Sequence, residues 1–341
     1  MPHALVEPVV AWFDAHGRDL PWRAPDRTAW GVLVSEVMLQ QTPVVRVEPA
    51  WRAWLERWPG PAALAAAPTA DVLRAWGRLG YPRRALRLQQ CAVVVVDRHD
   101  GVLPTDEAAL LALPGVGTYT AAAVMAFAHG RRAVVVDTNV RRVLARAVDA
   151  AALPAPHLTA VELARAGRVV PDDDVTATRW NAAVMELGAL VCTARAPRCE
   201  SCPVERQCAW RAAGMPPDAL ADGRRRQAWH GTDRQARGLV MATLRAADGA
   251  VPAAAVAAAL ATGWPSEQDR ARVIAGLVAD GLIEEVSDAE EVSDAEEGSD
   301  AAEGGDTVEV GHDAGPTFRF PASPTPGRPA PPPAPALLDA P

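Results

Sequence analysis

Along the first 190 or so residues apolar positions recur at intervals of three and four, the spacing that lines one face of an α-helix, and seldom alternate with period two. Ala4 to His16 reads as a short amphipathic helix, broken by the proline-led turn Leu20-Pro21-Trp22-Arg23. A second helix is expected over about 29–41, stopped by Pro43, and others over about 45–57, 69–76, 83–97 and 106–112, each bounded by Pro or Gly. Leu113-Pro114-Gly115-Val116-Gly117 predicts a tight turn between two helices, the second running from Thr118 to about His129. Val134-Val135-Val136 leads into Asp137, whose carboxylate is placed to accept the free N–H groups of a helix over about 138–148. A loop rich in Pro and Asp follows, and then a helix over 176–191.

From Gly214 to about Arg237 the pattern turns polar and irregular, with Arg224-Arg225-Arg226 as a basic cluster. Helical periodicity returns in three segments over 237–286, ending in Gly281-Leu282-Ile283, which predicts a small winged-helix-like unit. After Val286 the imperfect repeat of Val-Ser-Asp-Ala-Glu-Glu and the proline-rich end offer little to bury and are expected to stay disordered. The pattern as a whole predicts an all-α chain.

Composition changes this picture in three places. The formal charge of −8 is unevenly spread: 12 acids and 2 arginines lie from Val286 onward, leaving 30 acids against 32 arginines before it. The predicted folded part is therefore near neutral or slightly basic, and the overall sign does not exclude a polyanionic partner. All 34 basic residues are arginine, because the sequence contains no lysine. Five cysteines, four of them crowded together, argue for a reducing cytosol and a metal site over a disulfide framework. Residues 1–17 do not read as a secretory signal, and no apolar run is long enough for a membrane span.

Cys192, Cys199, Cys202 and Cys208 follow the spacing C-x6-C-x2-C-x5-C. By ligand chemistry, four thiolates suit either tetrahedral zinc or a cubane iron-sulfur cluster. Glu36 lies among apolar residues in Ser35-Glu36-Val37-Met38-Leu39-Gln40-Gln41-Thr42, and a carboxyl in such surroundings tends to keep its proton, as a general acid must. Asp137 stands twenty residues past Gly117, at the start of the next helix.

The cysteine run, preceded by Trp180-Asn181 and Met185-Glu186-Leu187-Gly188-Ala189, resembles the 4Fe-4S loop of the endonuclease III superfamily. The Leu113–Gly117 turn with Asp137 resembles that superfamily's helix-hairpin-helix signature, and the Ser35–Thr42 helix resembles the catalytic helix of MutY-type adenine DNA glycosylases. The resemblance covers roughly residues 5–210 and implies a helix-hairpin-helix DNA glycosylase fold. It implies an iron-sulfur cluster lobe of residues 1–20 and 128–210 and a six-helix barrel lobe of residues 21–127 carrying the hairpin. A small C-terminal unit of residues 211–286 and a tail of residues 287–341 complete the expected division.

The same resemblance assigns roles. Glu36 would protonate adenine at N7, and ionised Asp137 would stabilise or trap the sugar cation, as the two carboxylates of a retaining glycosidase do. Tyr119 is expected against Asp137, where the bifunctional members carry a Schiff-base lysine, and Asn139 would organise DNA and water. Gln41 and Tyr81 match the intercalating residues, and Leu113, Gly115 and Gly117 match the hairpin that meets a phosphate. Trp22 and Arg23 match the lining of the adenine pocket, whereas Ala182 stands where relatives usually have Glu or Gln. The cofactor implied is a 4Fe-4S cluster on the four cysteines. The partner implied is double-stranded DNA with adenine opposite 8-oxoguanine or guanine, met by a monomer in the bacterial cytoplasm at the nucleoid. A lysine-dependent strand cleavage is excluded by inventory. An endonuclease III-like glycosylase for oxidised pyrimidines and a non-enzymatic DNA-binding redox sensor are the competing readings.

Overall fold

The structure is a computed structural model that describes residues 2–224, 229–286 and 316–323. The chain divides into two compact units, Met1–Ala63 with Cys91–Arg226, and Leu64–Gln90 with Gln227–Pro341.

The first unit is helical. Its helices include Val6–His16, Ala29–Leu39, Val44–Arg57, Glu107–Leu111, Thr118–Phe127, Thr138–Ala147, Ala160–Val169 and Asp174–Leu190. Several begin at the residue types that satisfy free N–H groups of a first turn: Thr28, Asp106, Asp137 and Asp173 each accept a backbone hydrogen bond through the side chain. Val6–His16, Thr138–Ala147 and Asp174–Leu190 share one core, in which Val9, Leu144, Val169, Val184 and Leu187 are buried. Val140, Val143, Leu144 and Ala147 recur at helical spacing, so the same stripe that suggested helices also supplies the packing.

Ala160–Val169 was not expected; the sequence reading places a loop there. Val161 and Leu163 are exposed, which blurs its apolar stripe. The signal that would have found it is Thr159-Ala160-Val161-Glu162, which forms a reciprocal capping box. Glu162 is also held by the buried guanidinium of Arg141.

The second unit contains the helix Thr69–Trp76 and then Asp233–Ala246, β1 (Val251–Pro252), Ala253–Leu260, Glu267–Ala279, β2 (Glu284–Val286) and β3 (Thr317–Arg319). From Asp233 onward the order of helices and strands is winged-helix-like, as expected, and Asp233–Ala246, capped by Thr232, starts within the stretch read as irregular. The helix Arg83–His99 begins in this unit and continues into the first.

One expectation is corrected. Thr317–Arg319, assigned from sequence to a disordered tail, is the central strand of an antiparallel sheet of order β1-β3-β2. Phe318 lies opposite Val251 on one side and Glu285 on the other, and both Phe318 and Phe320 are buried. A short Thr-Phe-Arg-Phe alternation in a proline- and acid-rich context is too brief to register as periodicity, yet it completes the sheet. The remaining tail residues, 287–315 and 324–341, and Arg225 and Arg226 of the basic cluster lie outside the described residues. No described helix is long and apolar enough to cross a membrane.

Candidate active site

Glu36 belongs to Ala29–Leu39, a helix buried at every position from Trp30 to Met38. A helix that is apolar on all sides packs within a core, and that is what removes the Glu36 carboxyl from water. It is 5% exposed. Burial pushes its pKa up to about 7; the Tyr119 hydroxyl opposes the rise, the charge of Asp137 adds to it, and Arg23 opposes it.

Tyr119, in the first turn of Thr118–Phe127, donates its hydroxyl to Glu36 Oε2 at 2.8 Å. Tyr119 also lies within the field of Asp137, against which it was expected, while the hydrogen bond of its hydroxyl goes to the glutamate. Burial and the charges of Glu36 and Asp137 raise the Tyr119 pKa well above its ordinary value, so the phenol remains a donor.

Asp137 is the N-cap of Thr138–Ala147. Its Oδ1 accepts the Val140 N–H at 2.7 Å and its Oδ2 accepts the Asn139 amide at 2.7 Å. Burial raises its pKa, opposed by these hydrogen bonds and by the charge of Arg142. Asn139 is fixed from its other end by Arg142 Nη2 at 2.7 Å. Arg142 also donates to the carbonyls of Gly188 and Cys192, at 2.6 and 2.7 Å. Gly188 lets the two helices close, because a Cβ there would stand 2.7 Å from the Cβ of Asn139. Neither Arg142 nor Gly188 was singled out from sequence, although Gly188 falls within the Met185–Ala189 motif.

Trp22 is buried, edge to face with Trp51 at 5.7 Å. Arg23 is committed to Glu186, with Nη2 to Oε2 at 3.0 Å, and Arg18 binds the same carboxylate through Nε at 2.6 Å and Nη2 at 2.9 Å. Glu186, on Asp174–Leu190, was quoted only as part of a motif. It lies one helical turn after Ala182, so the carboxylate on that stretch of helix is at 186 and is bound to two guanidiniums.

The hairpin turns through Gly115, whose φ of 78° favours glycine, and ends at Gly117, where a Cβ would meet nothing within 4 Å. No side chain caps the helix that follows. Leu113 is buried and anchors the turn, its N–H donating to the Leu110 carbonyl and its own carbonyl accepting from Val116. Gln41 is exposed and has a left-handed φ of 57°. Tyr81, in the second unit, is half-buried and also left-handed, with φ 48°. Such values are uncommon for residues with a Cβ and tend to mark positions constrained for function.

The four cysteines are free thiols, each partly buried. Together with Arg146, Val191, Pro197 and Trp210 they line one pocket. Among the described residues no three His, Cys, Asp or Glu side chains converge as ligands of a single metal ion. Arg146, one turn after Arg142, donates to Cys192 Sγ at 3.3 Å and lies 4.7 Å over the Trp210 ring. It too escaped the sequence reading, because an arginine in an arginine-rich helix carries no local mark.

Residues 34–167 match the family described as HhH-GPD superfamily base excision DNA repair protein. The chain is 52% identical over 283 residues to the adenine DNA glycosylase of Mycolicibacterium smegmatis, covering 82% of this chain and 92% of that protein. It is 42% identical over 224 residues to the Homo sapiens adenine DNA glycosylase, covering 63% of this chain and 41% of the human protein. Among solved structures it is similar to a thermostable thymine-DNA glycosylase, with TM-score 0.56 and 27% identity over 62% of this chain and 97% of that one. It also shares the fold of endonuclease III bound to DNA, with TM-score 0.54 and 22% identity over 63% and 98% of the two chains.

Proposed function

We propose that this chain, which belongs to the adenine DNA glycosylase family of helix-hairpin-helix base excision repair proteins, hydrolyses the N-glycosidic bond of adenine opposite 8-oxoguanine or guanine. The observation that carries this reading is the buried Glu36 carboxyl, held near a pKa of about 7, hydrogen-bonded by Tyr119 and within the field of Asp137. An acid so poised can give a proton to adenine N7 and make the base a leaving group. Asp137, oriented at both oxygens by Val140 and Asn139, faces the cationic sugar that departure creates. Asn139, clamped by Arg142, fixes that orientation and can order the attacking water.

A base within a duplex must first be extruded. Gln41 and Tyr81 are the residues to fill the gap, and the uncapped N-terminus after Gly117 offers free N–H groups to a phosphate. Trp22 and Arg23 line the adenine pocket. The chain has no lysine, so the reaction ends at base removal without Schiff-base strand cleavage. It works as a monomer in the bacterial cytoplasm, at the nucleoid.

Cys192, Cys199, Cys202 and Cys208 would hold a 4Fe-4S cluster. Four thiols lining one pocket are a donor set that suits such a cluster. When bound, the cluster supplies structural cross-linking of the loop and redox-active iron. Arg146, through its hydrogen bonds to Cys192 Sγ and to the carbonyls of Thr193 and Ala194, holds that loop in place.

The test is a single-turnover assay on duplexes carrying adenine, uracil or thymine glycol opposite each base. Adenine release favouring 8-oxoguanine and guanine partners is expected, and pyrimidine release without adenine release would overturn the reading. Purified protein is expected to be yellow-brown, and Cys199→Ser to lose that colour; a colourless, zinc-loaded wild type would remove the cluster assignment.

A further inference from the structure

The second unit places the turn from Gly77 to Tyr81 against the helix Asp233–Ala246. The turn is tightly wound: Gly77, Gly80 and Tyr81 have left-handed φ values of 56°, 81° and 48°. Trp76 and Leu79 are buried, and Trp76 Nε1 donates to the Gly80 carbonyl at 3.0 Å. Arg78 therefore stands within an anchored turn, and its own side chain is exposed. On the helix, Arg234 and Arg245 are eleven residues apart, close to three turns, and so share one face. At one end of that face the Arg234 guanidinium lies 4.7 Å over the Tyr81 ring, and at the other the charge of Arg78 bears on the half-buried Arg245. The two ends of the face thus meet the two ends of the turn.

What sets Arg78 and Arg245 apart is the lack of a partner. Elsewhere in the unit Arg83 and Arg237 are committed to Asp280, Arg272 to Asp233 and Asp269, and Arg319 to Glu284. Among the described residues neither the Arg78 nor the Arg245 guanidinium has a carboxylate or a hydrogen-bond acceptor. Burial and the charge of Arg78 both disfavour the charged form of Arg245. Two cations held near each other, one of them stripped of part of its water, cost free energy in the free protein, and an anion between them recovers it. The N-terminus of Glu267–Ala279, the helix that a winged-helix protein would present to a groove, already carries Glu267 and Asp269 in its first turn. Carboxylates there occupy the place a phosphate would take, so the cationic side of this unit is the one beside the turn.

We propose that Arg78 and Arg245 together form a phosphate site by which the C-terminal unit holds one backbone phosphate of the DNA beside Tyr81. This rests on the reading of Tyr81 as the residue that enters the duplex. Arg78 stands three residues before Tyr81, at most about 10 Å of chain, so the phosphate lies within a few nucleotides of the step that Tyr81 opens. The planar guanidinium fork suits phosphate oxygens, and such a contact fixes register without reading sequence.

The experiment uses the full chain and measures equilibrium binding to A:8-oxoG, A:G and A:T duplexes over a range of salt, together with melting temperature. The proteins are wild type, Arg78→Ala, Arg245→Ala, the double variant and, as a control of equal charge change in the same unit, Arg272→Ala. The double variant is expected to bind all three duplexes about tenfold more weakly, with a slope of log affinity against log salt shallower by about 1. Each single variant should take more than half of that loss on the logarithmic scale, because both guanidiniums grip one phosphate. Arg272→Ala should keep the wild-type slope, and Arg78→Ala should melt at the wild-type temperature or above it, since it relieves a repulsion. An unchanged affinity or slope in the double variant would overturn the proposal, as would single losses that simply sum or an equal change of slope in Arg272→Ala. So would a loss confined to one duplex, or one seen only with a lowered melting temperature. Adenine release by wild type on the same duplexes separates the two readings: if wild type is inactive the glycosylase assignment fails, and if it is active while the double variant binds normally only this inference fails.

Discussion

Glu36 and Glu186 lie on long helices of the same unit, 5% and 1% exposed, and burial has opposite outcomes at the two positions. Desolvation raises both carboxyls. At Glu186 it is overcome by Arg18 and Arg23, whose hydrogen bonds and charge bring the pKa down to about 2. At Glu36 a single phenol hydroxyl and the more distant Arg23 do not overcome it, and Asp137 reinforces it, so the acid stays near 7. The difference teaches that a buried carboxylate becomes a structural anion or a proton donor according to what surrounds it. A fold can keep one of each within a single unit by bonding its arginines to only one of the two.

The comparison can be broken most directly at the reaction. Glu36→Gln is expected to lower single-turnover adenine release by about 10²–10⁴-fold with duplex binding retained; near-wild-type turnover would make Glu36 a bystander. Because the protonated form is the reactive one, wild-type activity should fall as pH rises through about 7.

Glu186→Gln should leave Arg18 and Arg23 without their carboxylate and cost about 3–5 kcal/mol of stability at pH 7, read from denaturant or thermal unfolding. A folded pKa depressed to about 2 from an ordinary 4.5 contributes stability that is present above about 4.5 and lost as pH falls toward 2. The gap between variant and wild type should therefore narrow on acidification; a gap that widens would mean Glu186 is not the stabilising anion.

For folding, Glu36→Gln should act in the opposite sense. With a folded pKa raised to about 7 from 4.5, the folded state holds the extra proton between these values, so stability falls as pH rises across that window. The neutral variant escapes this and should gain at most about 3 kcal/mol at pH 8 and nothing at pH 4, measured by the same unfolding curves. The smallest effect belongs to Tyr119→Phe. Removing the hydroxyl that favours ionised Glu36 should move the alkaline limb of kcat/KM upward by up to about one pH unit. A downward shift would show that the hydroxyl does not stabilise the carboxylate.

Much of the first unit was legible because its signals are local. Thr28, Asp137 and Asp173 start helices through bonds to residues three positions on, and the Leu113–Gly117 turn is written in its glycines. What escaped was long-range or weakly periodic. Thr317–Arg319 is too short to show alternation and acquires its place from β1 and β2, distant in sequence. Arg142, Arg146 and Arg234 are three among 34 arginines, and their partners, not their neighbours, distinguish them.

From its residues alone the chain had settled the helical periodicity, the four thiols within seventeen positions of one another, the lack of any amine side chain and the carboxylates at 36 and 137. Only the folded molecule decided which carboxylate received a hydroxyl and which received guanidiniums. The Tyr119–Glu36 bond joins residues 83 apart and the Arg18–Glu186 pair residues 168 apart. The protonation of a buried acid depends on the water it loses and the charges it meets, and both are set by segments that chain order leaves far apart.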